Sequence, residues 1–360
     1  MERVILSAST APGLHDRNVD RAGVGNKLPR ISILDGWRGI SIMLVLIGHM
    51  WPLSPKALQL NAMVSAAGLS LFFSLSGFLV VTMLLANPNV VSFLVRRAFR
   101  VIPLAWLVLL TVLVTQHAAA TTFLANLLFY ANLAPGMLLP SIDHFWSLCV
   151  EVQFYAGIAL CVSIAGKRAL FLVPVACVLV TLSRVIFDAE FSVVTWFRID
   201  EILAGGTVGL VAHIFPRFTK YIAEQSSLGI ICALFGLLFV TSHASLGPAT
   251  FARPYVAACL LLATVAKQRG RIHGLLSSKL LRHVATISYA LYVIHPLTYS
   301  GWMGEGGWFV KYSKRLGSLF LTIAFAEIST AYYEKFWNQL GHRLGNRISG
   351  AGPNAARRVD

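Results

Sequence analysis

Residues 34–49 read LDGWRGISIMLVLIGH. Three ionisable side chains stand inside this apolar run: Asp35, Arg38 and His49. A helix turns ~100° per residue, so the eleven steps from Arg38 to His49 return to within ~20° of the same face. Asp35 precedes Arg38 by about one turn and falls on nearly the same stripe. The run therefore reads as a membrane helix carrying an acid, a guanidinium and an imidazole in one line, spread over ~20 Å. Such groups are costly in lipid unless they pair or line a cavity, so the stripe marks a functional site. An N-terminal anchor with interfacial charges accounts for Asp35 and Arg38 but leaves His49, deep in the run, unexplained.

The rest of the chain has the same apolar character. Of 360 residues, 56% are hydrophobic and 12% charged, and the mean hydropathy is +0.70. A soluble globular chain carries roughly 25% charged residues. The composition is that of a polytopic integral membrane protein, with the lipid bilayer as its first partner. A net charge of +15 raises nucleic acid as a partner. The basic residues, however, sit in short clusters between apolar runs, which is how loops retained on the cytoplasmic side look. Cys149, Cys161, Cys177, Cys232 and Cys259 all lie within apolar runs without CxxC spacing. They read as small buried side chains, neither disulfides nor metal ligands.

A membrane-spanning helix needs ~20 mostly apolar residues. About ten runs qualify: 32–53, 66–86, 98–116, 144–165, 169–187, 199–215, 227–243, 250–266, 284–303 and 316–337. Basic and non-basic connections alternate along them, as the positive-inside rule predicts for ten spans with both termini cytoplasmic. One connection disobeys: 304–315 falls outside yet holds Lys311, Lys314 and Arg315. Segment 118–139 is apolar but interrupted by Asn126, Asn132 and Pro135. It reads as a re-entrant or interfacial element on the outer side. The expected fold is an all-α helical bundle in one membrane domain, residues 31–340. Polar tails at 1–30 and 341–360 are expected to be flexible and cytoplasmic, and the first has no apolar core of a secretory signal.

Several further polar groups fall inside these runs. Ser76-Gly77, in LFFSLSGFLV (71–80), permits close helix approach. Arg96, Arg97 and Arg100 precede Pro103. They are either a topology signal or a phosphate site, since guanidinium forks match phosphate oxygens. Glu151, in HFWSLCVEVQFY (144–155), lies about two turns below the outer surface, with Gln153 and Tyr155 nearby. His49 is expected at a similar depth. If the two helices are neighbours, Glu151 accepts a hydrogen bond from His49 and raises its basicity, as a general base requires. Arg198, Asp200 and Glu201 form either an interfacial salt-bridged cap or part of an acceptor site. His295 is either a second functional group or a core histidine. Glu334 either neutralises one of the arginines or pairs with Lys335.

At these residues the chain resembles the membrane-bound acyltransferase 3 family, which O-acylates sugars and lipids in bacterial envelopes. LDGWRGISIMLVLIGH is similar to the family's opening signature, with its Arg-x10-His spacing met by Arg38 and His49. FFSLSGFLV, RRAFRVIP, FWSLCVEVQFY, FRIDEILAGG, ISYALYVIHP and YYEKFW are similar to the later blocks and keep their order, over about residues 33–337. The resemblance implies ten helices in a bacterial inner membrane. It also implies acyl-CoA, usually acetyl-CoA, as donor, a hydroxyl on a carbohydrate or glycolipid as acceptor, and no metal. It marks Arg38 and His49 as the central pair, with Arg96, Arg97, Arg100 and Glu151 supporting. Asp35 joins the catalytic candidates from its place on the stripe, where it is either a catalytic group or a local partner for Arg38. Arg96, Arg97 and Arg100 become the donor-binding group, and Arg198, Tyr155, His295 and Trp146 the candidates for holding substrate. Two departures stand out: Val152 occupies the place of a frequent second acid, and Trp37 that of a smaller aliphatic residue. A stand-alone member, without the SGNH-type domain fused in some relatives, is expected.

The competing reading is a proton-coupled transporter that uses His49, Glu151 and His295 as a relay. Such proteins often show repeat symmetry and paired broken helices, and the sequence has neither.

Overall fold

Three glycines let the first helix pack closely. An added Cβ would lie 2.1 Å from Leu276 O at Gly36, 2.6 Å from Leu281 O at Gly39 and 2.2 Å from Ser65 Oγ at Gly48. This helix, α1 (Ser32–Met50), therefore lies against its neighbours almost backbone to backbone. The computed structural model describes residues 32–53, 55–299 and 306–350. The expected N-terminal tail, 1–30, lies outside the described residues.

After α1 come α2 (Leu60–Ala86), α3 (Val90–Thr115), the short α4 (Ala120–Leu127) and α5 (Trp146–Ala165). They are followed by α6 (Val173–Ile186), α7 (Asp200–Ile214), α8 (Pro216–Gln225), α9 (Leu228–Val240) and α10 (Arg253–Val265). The chain continues through α11 (Arg271–Leu276), α12 (Lys279–Tyr299), α13 (Trp308–Ile328) and α14 (Lys335–Ile348). Local chemistry sets several of these limits. Asn89 caps α3 by accepting from Ser92 N at 2.9 Å. Prolines open α6, α8 and α10. Gly166, at φ +60°, stops α5.

Every described element is helical or a turn; there is no strand among the described residues. Six helical segments are long and apolar enough to cross a membrane: Ser32–Met50, Lys56–Ala86, Val90–Thr115, Asp143–Ile186, Ala244–Val265 and Trp308–Ile348. The pair α7 and α8, bent by 111°, adds a seventh if taken as one span. Each of the ten apolar runs falls on a helix, but the runs and the long segments are not the same set. Residues 144–165 and 169–187 belong to one 44-residue segment, joined through a 3-10 stretch at Gly166–Leu172. At 15 and 13 residues, α7 and α9 are short of the ~20 a span needs. The chain is a multi-pass helical membrane protein.

Small residues also seat α2 on α7. An added Cβ would lie 1.8 Å from Ile202 O at Gly77 and 1.8 Å from Ser74 O at Gly205. The two backbones meet at a stripe of small residues, a membrane packing device. On its other side α2 carries α1, and α1 packs in turn against α12.

Segment 118–139 contains only α4 and two single 3-10 turns, at Ala131–Leu133 and Pro135–Met137. Its irregular backbone is bonded by side chains, as backbone at membrane depth must be. Asn126 Nδ2 donates to Thr122 O and Met137 O, both at 2.9 Å. Asn132 Nδ2 donates to Val193 O at 3.0 Å. Gln153 Nε2 donates to Phe129 O at 2.7 Å and to Asn132 Oδ1 at 2.8 Å. Thr195 Oγ1 donates to Gln153 Oε1 at 2.6 Å. Gln153 thus ties this segment and the 188–198 connection to α5.

Two sequence expectations need correction. A flexible tail is expected over 341–360, yet α14 continues to Ile348, packed on α3; residues 351–360 lie outside the described residues. Gly341 closes on Phe99, Gly345 closes on Arg96, and Ser92 Oγ donates to Gly345 O at 2.9 Å. The cysteines are not all buried: Cys149 and Cys177 are, whereas Cys161, Cys232 and Cys259 are exposed. Their helices turn an apolar outer face to lipid, where a small thiol is tolerated. The irregular basic group on 304–315 is partly explained, since Arg315 NH1 donates to Met50 O at 2.8 Å and so closes the carbonyl end of α1.

Candidate active site

His49 is in the last turn of α1, with its side chain exposed, while His295 on α12 is fully buried. His49 Nδ1 and His295 Nε2 are 2.9 Å apart. His295 Nδ1 lies 2.8 Å from Tyr292 O and 3.2 Å from Leu291 O. Carbonyl oxygens only accept, so His295 Nδ1 carries a proton. In the neutral ring Nε2 is then a lone-pair acceptor, and His49 Nδ1 must be the donor. This leaves His49 Nε2 as the basic nitrogen of a neutral His49 ring. Two main-chain carbonyls of α12 thus set the tautomer of an imidazole on α1.

A third imidazole backs this pair. His144 is buried, with its ring centroid 5.1 Å from that of His295. Tyr292 donates its hydroxyl to His144 O at 2.6 Å and also bonds Ser147. Asp143 is exposed beside His144, and its charge reaches His49.

Glu151 is not the partner of His49. The helix α1 packs on α2 and α12, and the His49 end of the stripe faces α12 rather than α5. Glu151 Oε1 instead accepts from the hydroxyls of Ser76 and Tyr155. These groups join Arg38, Arg97, Arg100, Ser288 and Tyr289 around a cavity of about 30 Å³, room for a water or two. Three guanidinium groups face one carboxylate there. Arg97 also lies over the Tyr155 ring, 5.3 Å from its centroid, and Arg100 is exposed at the margin. Asp35, half-buried in the first turn of α1, and Glu151 are the carboxylates whose charge reaches Arg38.

The three arginines expected to act together are divided. Arg96 turns away from the cavity and donates from NH2 to Asn346 Oδ1 on α14 at 2.9 Å. Helical spacing alone does not divide them, since Arg100 is four residues from Arg96 and three from Arg97 and shares a face with both; the contact with α14 takes Arg96 away from the cavity. Glu334, buried at the start of α14, accepts from Thr330 Oγ1 at 2.9 Å, and its charge and that of Arg100 reach each other. Arg198 is buried and ion-paired with Glu201. Its guanidinium lies 5.5 Å from the centroid of the Trp146 ring, so Trp146 and Arg198 form one unit. Tyr155 belongs to the arginine cavity rather than to the His49 end, where His295 lies. Among the described residues no group of three or more His, Cys, Asp or Glu is placed to hold a metal ion.

Sequence reasoning missed His144, Ser76 as a partner of Glu151, and Tyr289. His144 opens the fourth apolar run and was legible as a polar residue at a span end. Tyr289 and Ser288 stand six and seven residues before His295 in ISYALYVIHP, the spacing that carries one helix from the histidine pair to the arginine cavity.

The site is thus a line through the bundle. Arginines and a hydroxyl-bonded carboxylate lie toward the start of α1, and an oriented imidazole lies at its end. Arg38 and His49 are ~16 Å apart along the helix. No curated protein and no solved structure matches the chain. A family model described as an acyltransferase domain, that of acyltransferase 3, matches residues 31–333, which include every residue of both clusters. The chain is a member of the acyltransferase 3 family.

Proposed function

We propose that this chain is an O-acetyltransferase of the bacterial inner membrane that moves an acetyl group from acetyl-CoA to a hydroxyl of an envelope or secreted carbohydrate. One observation carries the reading. The His49–His295 bond leaves His49 Nε2 as a free base at one end of a helix whose other end, at Arg38, faces a cationic cavity.

Arg38, Arg97 and Arg100 bind the donor's phosphates, and Arg100 is the group open to solvent. The lining supports this role: Glu151 is the one carboxylate on the cavity wall, while Asp35 and Glu334 act on Arg38 and Arg100 from outside it, and guanidinium forks match phosphate oxygens in bidentate pairs. Ser76 and Tyr155 hold Glu151 Oε1 by their hydroxyls. The start of α1 packs on α11 and α12, with Ser32 Oγ 2.8 Å from Ser277 Oγ. Arg271, Lys279 and Arg282 lie on these elements. The positive-inside rule therefore favours a cytoplasmic position for this end.

The thioester arm then lies along α1 toward His49. There His49 Nε2 removes the acceptor hydroxyl proton as the oxygen attacks the thioester carbonyl. The C–S bond breaks, and the proton passes from His49 Nε2 to the departing CoA sulfur. His295 holds the ring in the one tautomer that does this and stabilises the positive charge His49 carries in between. General base catalysis of this kind contributes typically 10²–10⁴-fold.

The direct test supplies isotope-labelled acetyl-CoA to membranes holding the full-length protein and follows label into carbohydrate by mass spectrometry. Labelled acetyl esters on carbohydrate, absent from membranes without the protein, support the reading. Donor turnover with the label only in acetate, or no donor turnover, contradicts it.

A further inference from the structure

A second polar cluster, beside the histidines, is not used by this mechanism. It brings together Arg184 from α6, Arg198, Asp200 and Glu201 from the start of α7, and Arg253 from the first position of α10. All five are buried. Part of it is closed. Arg184 NH1 meets Asp200 Oδ2 at 2.5 Å, and its Nε and NH2 donate to Ala189 O and Glu190 O at 3.2 and 2.9 Å. Asp200 also accepts from Glu201 N at 3.0 Å.

The remainder does not balance. Glu201 Oε1 takes Arg253 Nε at 2.7 Å and Arg198 NH1 at 3.3 Å, one carboxylate against two guanidinium groups. Arg253 NH1 and NH2 and Arg198 Nε have neither a hydrogen bond nor an ion-pair contact, and Arg198 NH1 has only its ion-pair contact with Glu201. Against these three donor atoms stands one unpartnered acceptor of the group, Glu201 Oε2. Glu190 Oε1 lies near Gly247, 3.4 Å from where a Cβ would stand there. The N-termini of α7 and α10, both without a side-chain cap, add partial positive charge. Arg253 is also covered by Phe191, 5.7 Å from its guanidinium carbon. A buried, unneutralised guanidinium is among the most costly arrangements in a protein, and the excess donors ask for an acceptor of negative charge.

We infer that Arg198 and Arg253 hold a small monoanionic group at the His49 end of the bundle, beside Trp146. The group is either a resident halide or the carboxylate of an acidic sugar bound as acceptor. Trp146 connects the two places: it underlies Arg198 and stands two residues from His144, whose ring meets that of His295. The halide form is independent of the acyl-transfer reading, and the carboxylate form rests on it.

Two measurements on the full-length protein test the inference. In the first, thermal unfolding of the wild type is followed in a bromide series balanced with gluconate at constant ionic strength. The expected result is a saturable rise in Tm, lost in Arg253→Gln, which leaves Arg198 and Glu201 as a neutral pair. In the second, crystals of the wild type grown in bromide are expected to show an anomalous peak at the Arg253 fork. Methyl galacturonoside and methyl galactoside are then added in turn. Displacement of bromide by the uronoside alone assigns the site to an acceptor carboxylate. Bromide retained against both assigns it to a resident halide. A wild-type Tm that is the same in bromide and gluconate, with no bromide peak at Arg253 and equal responses to the two sugars, overturns the inference. That outcome is distinct from a failure of acetyl transfer, because neither measurement uses the donor.

Discussion

At the scale of single residues, the account rests on which nitrogen of which ring carries a proton. His295 is locked by carbonyls of its own helix, and His49 is locked by His295. Replacing His295 by Ala frees the His49 ring to rotate. Misplaced catalytic groups cost about 10²-fold, so kcat in an acetyl-transfer assay is expected to fall by that order with the donor KM unchanged. His295→Gln, whose amide oxygen accepts from His49 Nδ1, should recover part of the loss. A purely structural role for His295 predicts no such recovery in a folded protein. The arginines separate in a similar way. Arg97→Gln and Arg100→Gln should raise the donor KM several-fold while kcat at saturating donor holds. Arg96→Gln should leave the KM unchanged, because Arg96 binds Asn346 rather than the cavity. Equal KM effects at all three positions would show that the division does not matter to donor binding.

At the scale of elements, close packing sets the positions of the site residues. Ser74 and Gly77 lie on α2 where it meets α7, while Ser76 of the same helix reaches Glu151 on α5. In Gly77→Ala the added Cβ would lie 1.8 Å from Ile202 O. Overpacking typically costs about 1–3 kcal/mol, so Tm should drop by several degrees and acetyl transfer should fall with it. An unchanged Tm would show that α2 and α7 move apart without cost. Gln153 supports a looser element. Gln153→Ala removes the bonds to Phe129, Asn132 and Thr195. Hydrogen exchange across 118–139 and 188–198 should then accelerate while exchange within α1 and α12 stays as it was.

At the scale of the whole molecule, much of the architecture was legible because membrane helices leave a strong signal. Each of the ten apolar runs lies on a helix, and the Asn- and Pro-interrupted stretch at 118–139 is the irregular one. The Arg38–His49 stripe was legible from helical period alone. Less legible was which neighbour each polar group would meet. Depth along two helices placed Glu151 near His49, but depth says nothing about which helices touch, and α12 took that position with His295. Helical phase could not have separated Arg96 from Arg97 and Arg100, since Arg100 shares a face with both; the separation comes from Asn346 on α14, a tertiary contact. Of the charge cluster, Arg198, Asp200 and Glu201 were legible as a local group, whereas Arg184 on α6 and Arg253 on α10 join it only through packing. Together these parts make a bundle with a cationic cavity at one end of its first helix and a base at the other. The claim at its centre is that His49 takes the proton. The most direct measurement compares acetyl transfer by the purified wild type and His49→Ala in identical lipid vesicles, alongside acetyl-CoA binding to each. The account predicts a fall in kcat of about 10²–10⁴-fold with donor affinity unchanged. Equal rates in the two proteins would contradict it.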